Sequence, residues 1–156
     1  MARKLNPQGM IHQERYLFAN QANYYDKIFD SFKAAAKENK LPCTIQEETF
    51  KSGGMFGSKD VLLSVDGGFT PFCVIGATTY GNYLIVTLYV LTEDTFMNKL
   101  AGKMSGAGID NLAYLGKDMI NVRDMDAFII CVKATLEDAF SKLSIQEVKS
   151  GFLGIK

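Results

Sequence analysis

The chain has 156 residues, enough for one domain with its own hydrophobic core and no need of a metal or disulfide. Its apolar fraction of 47% and charged fraction of 22% are those of an ordinary globular protein, which excludes a disordered chain and a coiled-coil rod. Lys plus Arg and Asp plus Glu number 17 each, so no net charge attracts nucleic acid or an anionic membrane. We expect neither as a partner.

The three cysteines, Cys43, Cys73 and Cys131, are widely spaced and lie in apolar runs. An odd number without zinc-ligand spacing is typical of buried free thiols in a reducing compartment. The longest apolar run, residues 83–91, is about half the length that a membrane-spanning helix needs, and no apolar leader follows Met1. We therefore expect a cytoplasmic protein.

The first predicted element is a long N-terminal helix over residues 6–39. Asn6 suits the cap position, Pro7 suits the first helical position, and Pro42 ends the pattern. Its apolar residues recur at spacings of three and four: Phe18, Ala22, Tyr25, Phe29, Phe32 and Ala36. Such a helix would be ~45 Å long, whereas a compact domain of this size is about 40 Å across. Either it bends near Asn20, or its first turns lie outside the domain, or the overhang contacts a second subunit.

Four strands are predicted to follow as an antiparallel meander. Residues 43–51 and 61–65 carry extended patterns, and so do residues 72–80 and 83–91. The last two strands are joined by Gly81-Asn82, a two-residue loop with glycine first, which is typical of a type II′ turn. This turn predicts the register of the hairpin.

In that register Tyr80 faces Tyr83. One face of the hairpin, the expected core side, holds the pairs Thr79/Leu84, Ala77/Val86, Ile75/Leu88 and Cys73/Val90. The other face, called here the reverse face, holds the pairs Tyr80/Tyr83, Thr78/Ile85, Gly76/Thr87, Val74/Tyr89 and Phe72/Leu91. Because the reverse face is also apolar, we expect the final helix, a ligand or a partner to cover it.

The C-terminal half is predicted to be mainly helical. Residues 93–103 suit a short helix, whereas residues 109–123 fit either a helix or a fifth short strand near 118–122. A C-terminal helix from residue 125 packs its apolar stripe on the sheet, the stripe being Ile129, Val132, Leu136, Phe140 and Leu143. Residues 1–143 then form a single α+β domain, and residues 144–156 form a tail that is either flexible or docked on a groove or sheet edge.

The glycine-rich segment 51–60 has some features of a phosphate-binding loop. Its three glycines precede Ser58-Lys59, but the spacing fails and a strand follows where such a loop needs a helix. We interpret the segment as a strand connector. Met55 and Phe56 at its tip are expected to fold over the edge of the core or to contact a partner.

No motif in the sequence predicts a catalytic site. His12, the only histidine, has no serine or cysteine in a recognisable nucleophile motif. Glu47 and Glu48 point to opposite faces of a strand, and Asp124 and Asp126 lie where a helix begins and capping accounts for them. We assign no catalytic, metal-binding or cofactor-binding residue.

The order of elements describes an α+β domain, an antiparallel sheet with helices on at least one face. In outline it resembles the small α+β chaperone and adaptor scaffolds of bacteria, by element order alone. The leading functional prediction is a non-enzymatic protein-interaction or adaptor module. It is expected to form a homodimer through the overhanging first helix or the reverse face. The candidate interface or pocket residues are Phe72, Tyr80, Tyr83, Tyr89, Met55 and Phe56.

Two other functions stay open at this point. One is a small apolar-ligand-binding domain, with a closed cavity of roughly a few hundred Å³ between the sheet and the helices. Tyr80, Tyr83 and Tyr89 would rim that cavity. The other is a cofactor-free enzyme that uses carboxylates or a lysine.

Overall fold

The computed structural model describes residues 3–4, 10–51, 59–69, 71–92 and 119–148. The described part of the chain is α+β, with six strands and two α-helices. They are β1 Arg3–Lys4, β2 Met10–Phe18, α1 Ile28–Glu38, β3 Thr44–Lys51, β4 Lys59–Asp66, β5 Phe72–Tyr80, β6 Tyr83–Leu91 and α2 Met119–Lys142. A short 3-10 helix, Ala22–Lys27, leads into α1.

The described strands form one sheet in the order β1-β3-β4-β5-β6-β2. The five strands from β2 to β6 are antiparallel to their neighbours, and the two-residue β1 pairs in parallel with the end of β3. The predicted meander of four strands is therefore present as β3 to β6. The fifth antiparallel strand comes from the N-terminal part of the chain.

The predicted N-terminal helix is wrong for residues 10–18, because they form β2 along the edge of β6. Tyr16 and Phe18 are 1% and 0% exposed, whereas Leu17 between them is only partly buried. This alternation is that of a strand with one face in the core. The open edge of β6 offers a complete ladder of hydrogen bonds, and this tertiary contact outweighs the helical spacing that continues into the segment.

The helix itself is shorter than predicted. Asn20 has a φ of 61° and turns the chain out of β2. The residues of α1 that are buried follow the expected helical spacing: Ile28, Ser31, Phe32, Ala35 and Ala36. At 11 residues α1 is roughly 16 Å long. It therefore fits within the domain and does not supply the overhang from which self-association was expected.

The β5–β6 hairpin has the predicted register, from Phe72↔Leu91 to Tyr80↔Tyr83. Gly81 has a φ of 61° and Asn82 does not share this left-handed conformation, as a type II′ turn requires. The predicted core face is buried over most of its length, through Cys73, Ile75, Leu84, Val86, Leu88 and Val90.

Both α-helices lie on this core face of the sheet. The Phe140 ring of α2 lies edge-on to Tyr16 and Phe18, with centroids 5.1 Å and 4.7 Å apart. The Ser31 hydroxyl of α1 donates a 2.8 Å hydrogen bond to the Ala139 carbonyl of α2, which joins the two helices. Removal of these apolar side chains from water is the main term that stabilises the layered arrangement.

The C-terminal helix packs on the sheet as predicted, but two details of the prediction are wrong. Residues 119–122 are helical, so the fifth short strand near 118–122 is not formed. Helical hydrogen bonds extend readily from a helix that already exists, which outweighs the strand propensity of Ile120 and Val122. In addition, Val132 and Leu136 pack into the core face. The final helix therefore does not cover the reverse face.

Several predictions fall outside the described residues: the short helix 93–103, the loop tip with Met55 and Phe56, and the last part of the tail. At the start of the tail, Ile145 is 6% exposed, and the Val148 N–H donates a 2.6 Å hydrogen bond to the Leu17 carbonyl of β2. The domain boundary at residue 143 and the flexible or docked tail stay predictions.

Candidate functional site

The sheet opens between β4 and β5. These strands pair over three positions only, from Leu63↔Ile75 to Val65↔Cys73. In the same register Val61 would face Ala77, but the ladder ends before this pair. By contrast, β5 stays paired with β6 up to the Tyr80↔Tyr83 position at the turn. Among the described residues, the last part of β5 therefore has a ladder partner on the β6 side only.

A trough with a volume of about 370 Å³ lies where the two strands part, and it is called here the β4–β5 trough. The residues that line it are Tyr25 of the 3-10 helix, Val61 and Leu62 of β4, residues 76–79 of β5, and Ile85, Thr87 and Tyr89 of β6. Gly76 has no side chain to fill the base of the trough. A Cβ at this position would be only 3.0 Å from Leu62 Cδ2.

The lining of the trough is mixed in chemistry. Thr78, Thr79 and Thr87 line it together with the apolar residues Leu62 and Ile85. The mouth is open to solvent, since Val61 is 55% and Tyr25 is 53% exposed. Such a surface offers hydrogen bonds as well as apolar contacts to whatever lies in it.

Backbone groups of β5 also face the trough. Beside a two-residue turn, Tyr80 and its alternate neighbours Thr78 and Gly76 exchange hydrogen bonds with β6. The N–H and C=O groups of Ala77 and Thr79 therefore point away from β6, toward the space that β4 leaves. A strand edge of this kind can pair with an incoming extended chain.

The four predicted interface residues that the structure describes lie in different environments on the reverse face. Tyr80 and Tyr83, at the hairpin end, are 81% and 48% exposed. Tyr89 lines the trough and is partly buried. Phe72 lies at the other end of the face, where it is 9% exposed and packs in a small apolar cluster. The structure thus places the three tyrosines along one face of the sheet, opposite the face on which α1 and α2 pack.

Tyr25 and Val61 line the trough but were not singled out in the sequence. Tyr25 belongs to the helical stripe of apolar residues and looked like a core residue there. Val61 belongs to an ordinary alternating strand pattern. Its exposure depends on where β4 separates from β5, and the pattern of a single strand does not show that point.

A polar cluster lies where β2 meets α2. The Glu14 side chain, 10% exposed, accepts 3.0 Å hydrogen bonds from Lys133 Nζ and from the Tyr16 hydroxyl. His12, which lies on β2 and not on a helix, places Nε2 3.4 Å from the same carboxylate. The Lys133–Glu14 contact links α2 to β2 at the edge of the sheet.

The electrostatics of this cluster follow from its contacts. Burial by itself raises the pKa of Glu14, but the hydrogen bonds from Lys133 and Tyr16 and the lysine charge outweigh burial and hold this pKa below its ordinary value. Burial and the Glu14 carboxylate raise the pKa of Tyr16. The phenol therefore stays protonated and acts as a hydrogen-bond donor.

The three cysteines are free thiols in different environments. Cys73 is buried in the core, and burial raises the pKa of its thiol to about 12, which makes it unreactive. Cys43 is partly buried, and burial also raises its pKa. Cys131 is exposed on α2, so the expectation of three buried thiols is wrong for this residue.

Two of the carboxylates considered as candidate sites are paired with neighbouring cations. Glu47 accepts a 3.1 Å hydrogen bond from Lys33, and Asp124 lies 3.0 Å from the Arg123 guanidinium. Among the described residues, no group of three or more His, Cys, Asp and Glu side chains is placed to hold a metal ion. Within the same residues, no helix has the length and apolar character needed to span a bilayer.

The large apolar side chains that stay exposed in the described ranges form two groups. Tyr25, Val61, Tyr80 and Tyr83 surround the trough and the hairpin end, while Met119, Ile120 and Ile130 lie on α2. Both groups are candidate contact surfaces. Comparison of the chain with protein-family models gave no match, and comparisons with curated proteins and with solved structures gave none either.

Proposed function

We propose that the chain is a protein-interaction module that binds an extended segment of a partner protein in the β4–β5 trough. The observation that carries this proposal is the early end of the ladder between β4 and β5 at Leu63↔Ile75. It leaves the backbone groups of Ala77 and Thr79 beside a lining that includes the apolar side chains of Leu62 and Ile85. Main-chain groups and pockets for apolar side chains are the two components of strand addition.

In strand addition the partner supplies main-chain hydrogen bonds, and every second side chain of the partner points into the trough. Its backbone pairs with Ala77 and Thr79 as β4 would have done. Side chains that point inward contact Ile85 and Tyr89, and the threonine hydroxyls accept or donate at the margins. The exposed Tyr80 and Tyr83 extend the contact toward the hairpin end.

A small apolar ligand is the second candidate, because a volume of about 370 Å³ suits such a molecule. The trough differs from an apolar cup in two respects. It is open along Val61, and three of its lining residues are threonines. A peptide with a polar backbone and apolar side chains satisfies this lining better than an entirely apolar molecule does.

Selection from a library of displayed random peptides tests the proposal. We expect enrichment of peptides with alternating apolar residues, and we expect the Val61→Glu variant to bind them at least about tenfold more weakly. Val61 is 55% exposed, so the substitution should not disturb the fold. The matched control is Ile130→Glu, which places the same charge on a residue of α2 that is 65% exposed.

Two results would overturn the proposal. One is a failure to enrich any peptide against the folded chain. The other is enrichment of peptides that bind the wild type and the Val61→Glu variant equally well, because such peptides would contact a different surface.

A further inference from the structure

The outer face of α2 is apolar where a surface helix is normally charged. Ala127, Ile130, Cys131 and Ala134 are all exposed, and Ile130 is 65% exposed. Spacings of three and four place these residues side by side over two helical turns. They form a stripe, called here the α2 stripe, on the side of the helix opposite the core.

The shorter helix of the same domain provides an internal comparison. The outward residues of α1 are mostly charged: Asp30, Lys33, Lys37 and Glu38. This is the pattern expected of a helix with one face in the core and one face in water. The α2 stripe departs from it, which points to a contact that α1 does not make.

The charges at the two ends of the stripe are opposite in sign. Arg123 lies one turn before Ala127, and Asp138 lies one turn after Ala134, with Glu137 beside it. When two copies of α2 pack antiparallel about Ile130 and Cys131, Arg123 of one copy meets Asp138 of the other, and this happens at both ends. A parallel arrangement would instead place Asp138 against its own copy.

We propose that the α2 stripe is the contact between two copies of this chain, packed antiparallel about a two-fold axis next to Ile130 and Cys131. Ala127 of one copy then lies against Ala134 of the other. Small side chains at these positions allow two helix axes to approach to about 8 Å. An isologous contact of this kind needs one self-complementary surface, and the stripe provides it.

The side chains at the ends can reach a second copy. The Arg123 side chain is 72% exposed and lies 3.0 Å from Asp124, so its guanidinium keeps donors for a further carboxylate. Asp138 accepts a 2.9 Å hydrogen bond from Asn39 Nδ2, which holds its carboxylate at the helix surface. A carboxylate has acceptor sites beyond that one bond.

The expected dimer is weak. A contact made by one pair of helices is small beside the ~1,200 Å² at which stable protein interfaces begin. Association should therefore depend on concentration. The stripe is separate from the β4–β5 trough, so the dimer and the peptide-binding proposal stand or fall independently.

Sedimentation equilibrium over a wide range of protein concentration tests the dimer. We expect the wild type to show reversible dimerisation and the Ile130→Glu variant to weaken it at least about tenfold. Val61→Glu is the matched control, because it adds the same charge on the sheet side and should leave the dimer unchanged. Thermal unfolding of each variant confirms that the fold is retained.

A charge exchange tests the antiparallel geometry. Arg123→Glu and Asp138→Lys should each weaken the homodimer, because each puts like charges together at both ends. A mixture of the two variants should associate more tightly than either variant alone, because opposite charges then meet at both ends. If a substitution weakened the dimer only by disturbing the fold, mixing the two variants would not restore association.

A wild type that stays monomeric at the highest concentration would overturn the dimer. A dimer that Ile130→Glu leaves unchanged would place the contact elsewhere on the molecule. Charge variants that associate no better in the mixture than alone would overturn the antiparallel arrangement.

Discussion

Glu14 shows how a single carboxylate fastens a helix to a sheet edge. It lies on β2 and bonds to Lys133 of α2 across 119 residues of sequence. Tyr16 on the same strand donates to the same carboxylate. The interaction stabilises the fold only while Glu14 is ionised, because the neutral acid loses the charge that Lys133 recognises.

Stability should therefore depend on the pH through Glu14. The pKa of Glu14 is lower in the folded chain than in the unfolded one, so its contribution is complete above the ordinary carboxyl pKa and is lost as the pH falls through the lowered value. We expect Glu14→Gln to cost about 1–2 kcal/mol near neutral pH. The difference from the wild type should shrink below about pH 4.

Urea unfolding of both proteins over a series of pH values measures this difference. Glu47→Gln is the control, since the Lys33–Glu47 pair is exposed and should contribute less than about 0.5 kcal/mol. If the difference for Glu14 stays constant from neutral to acid pH, its ionisation is not coupled to folding.

The two α-helices, α1 and α2, end in the same way. After α1, Lys40 has a φ of 52° and the Leu41 N–H donates to the Ala36 carbonyl at 3.0 Å. After α2, Ser144 has a φ of 56° and the Ile145 N–H donates to Phe140 at 3.2 Å. Both are Schellman caps in which a residue other than glycine takes the left-handed position.

Glycine at these positions should stabilise the protein. A side chain in the left-handed region costs about 1 kcal/mol, and glycine avoids that cost while it keeps the same backbone hydrogen bonds. We expect Lys40→Gly to raise the free energy of unfolding by about 0.5–1 kcal/mol, as measured by urea denaturation. Ala34→Gly, at an exposed position inside α1, should lower it by a similar amount. If Lys40→Gly destabilised the protein as Ala34→Gly is expected to do, residue 40 would not occupy the left-handed position of the cap.

The elements that the sequence predicts well are those with local signals. Gly81-Asn82 sets the turn, the register and the core face of the hairpin, because a two-residue loop leaves one choice of pairing. The helical spacing of the buried residues in α1 and α2 is also a local signal. Residues 10–18 were mispredicted because Phe18 fits both a strand and a helix, and only the open edge of β6 decides between them.

Within the part of the chain that the structure describes, α1 and α2 both lie on one face of the sheet. Sequence correctly places Tyr80, Tyr83 and Tyr89 together on the other face, because side chains alternate along paired strands. It does not reveal the trough beside them. The trough depends on the early separation of β4 from β5, which is a property of the two strands together and not of the residue pattern of either one.

Exchange of backbone amides with deuterium, followed residue by residue by NMR, tests the open ladder most directly. In the free chain, we expect the Ala77 and Thr79 amides to exchange much faster than those of Gly76 and Thr78, which bond to β6. A bound peptide should slow exchange at Ala77 and Thr79 and leave the other two unchanged. If all four amides are equally protected in the free chain, β4 already pairs with this part of β5, and the trough is not a site for an added strand.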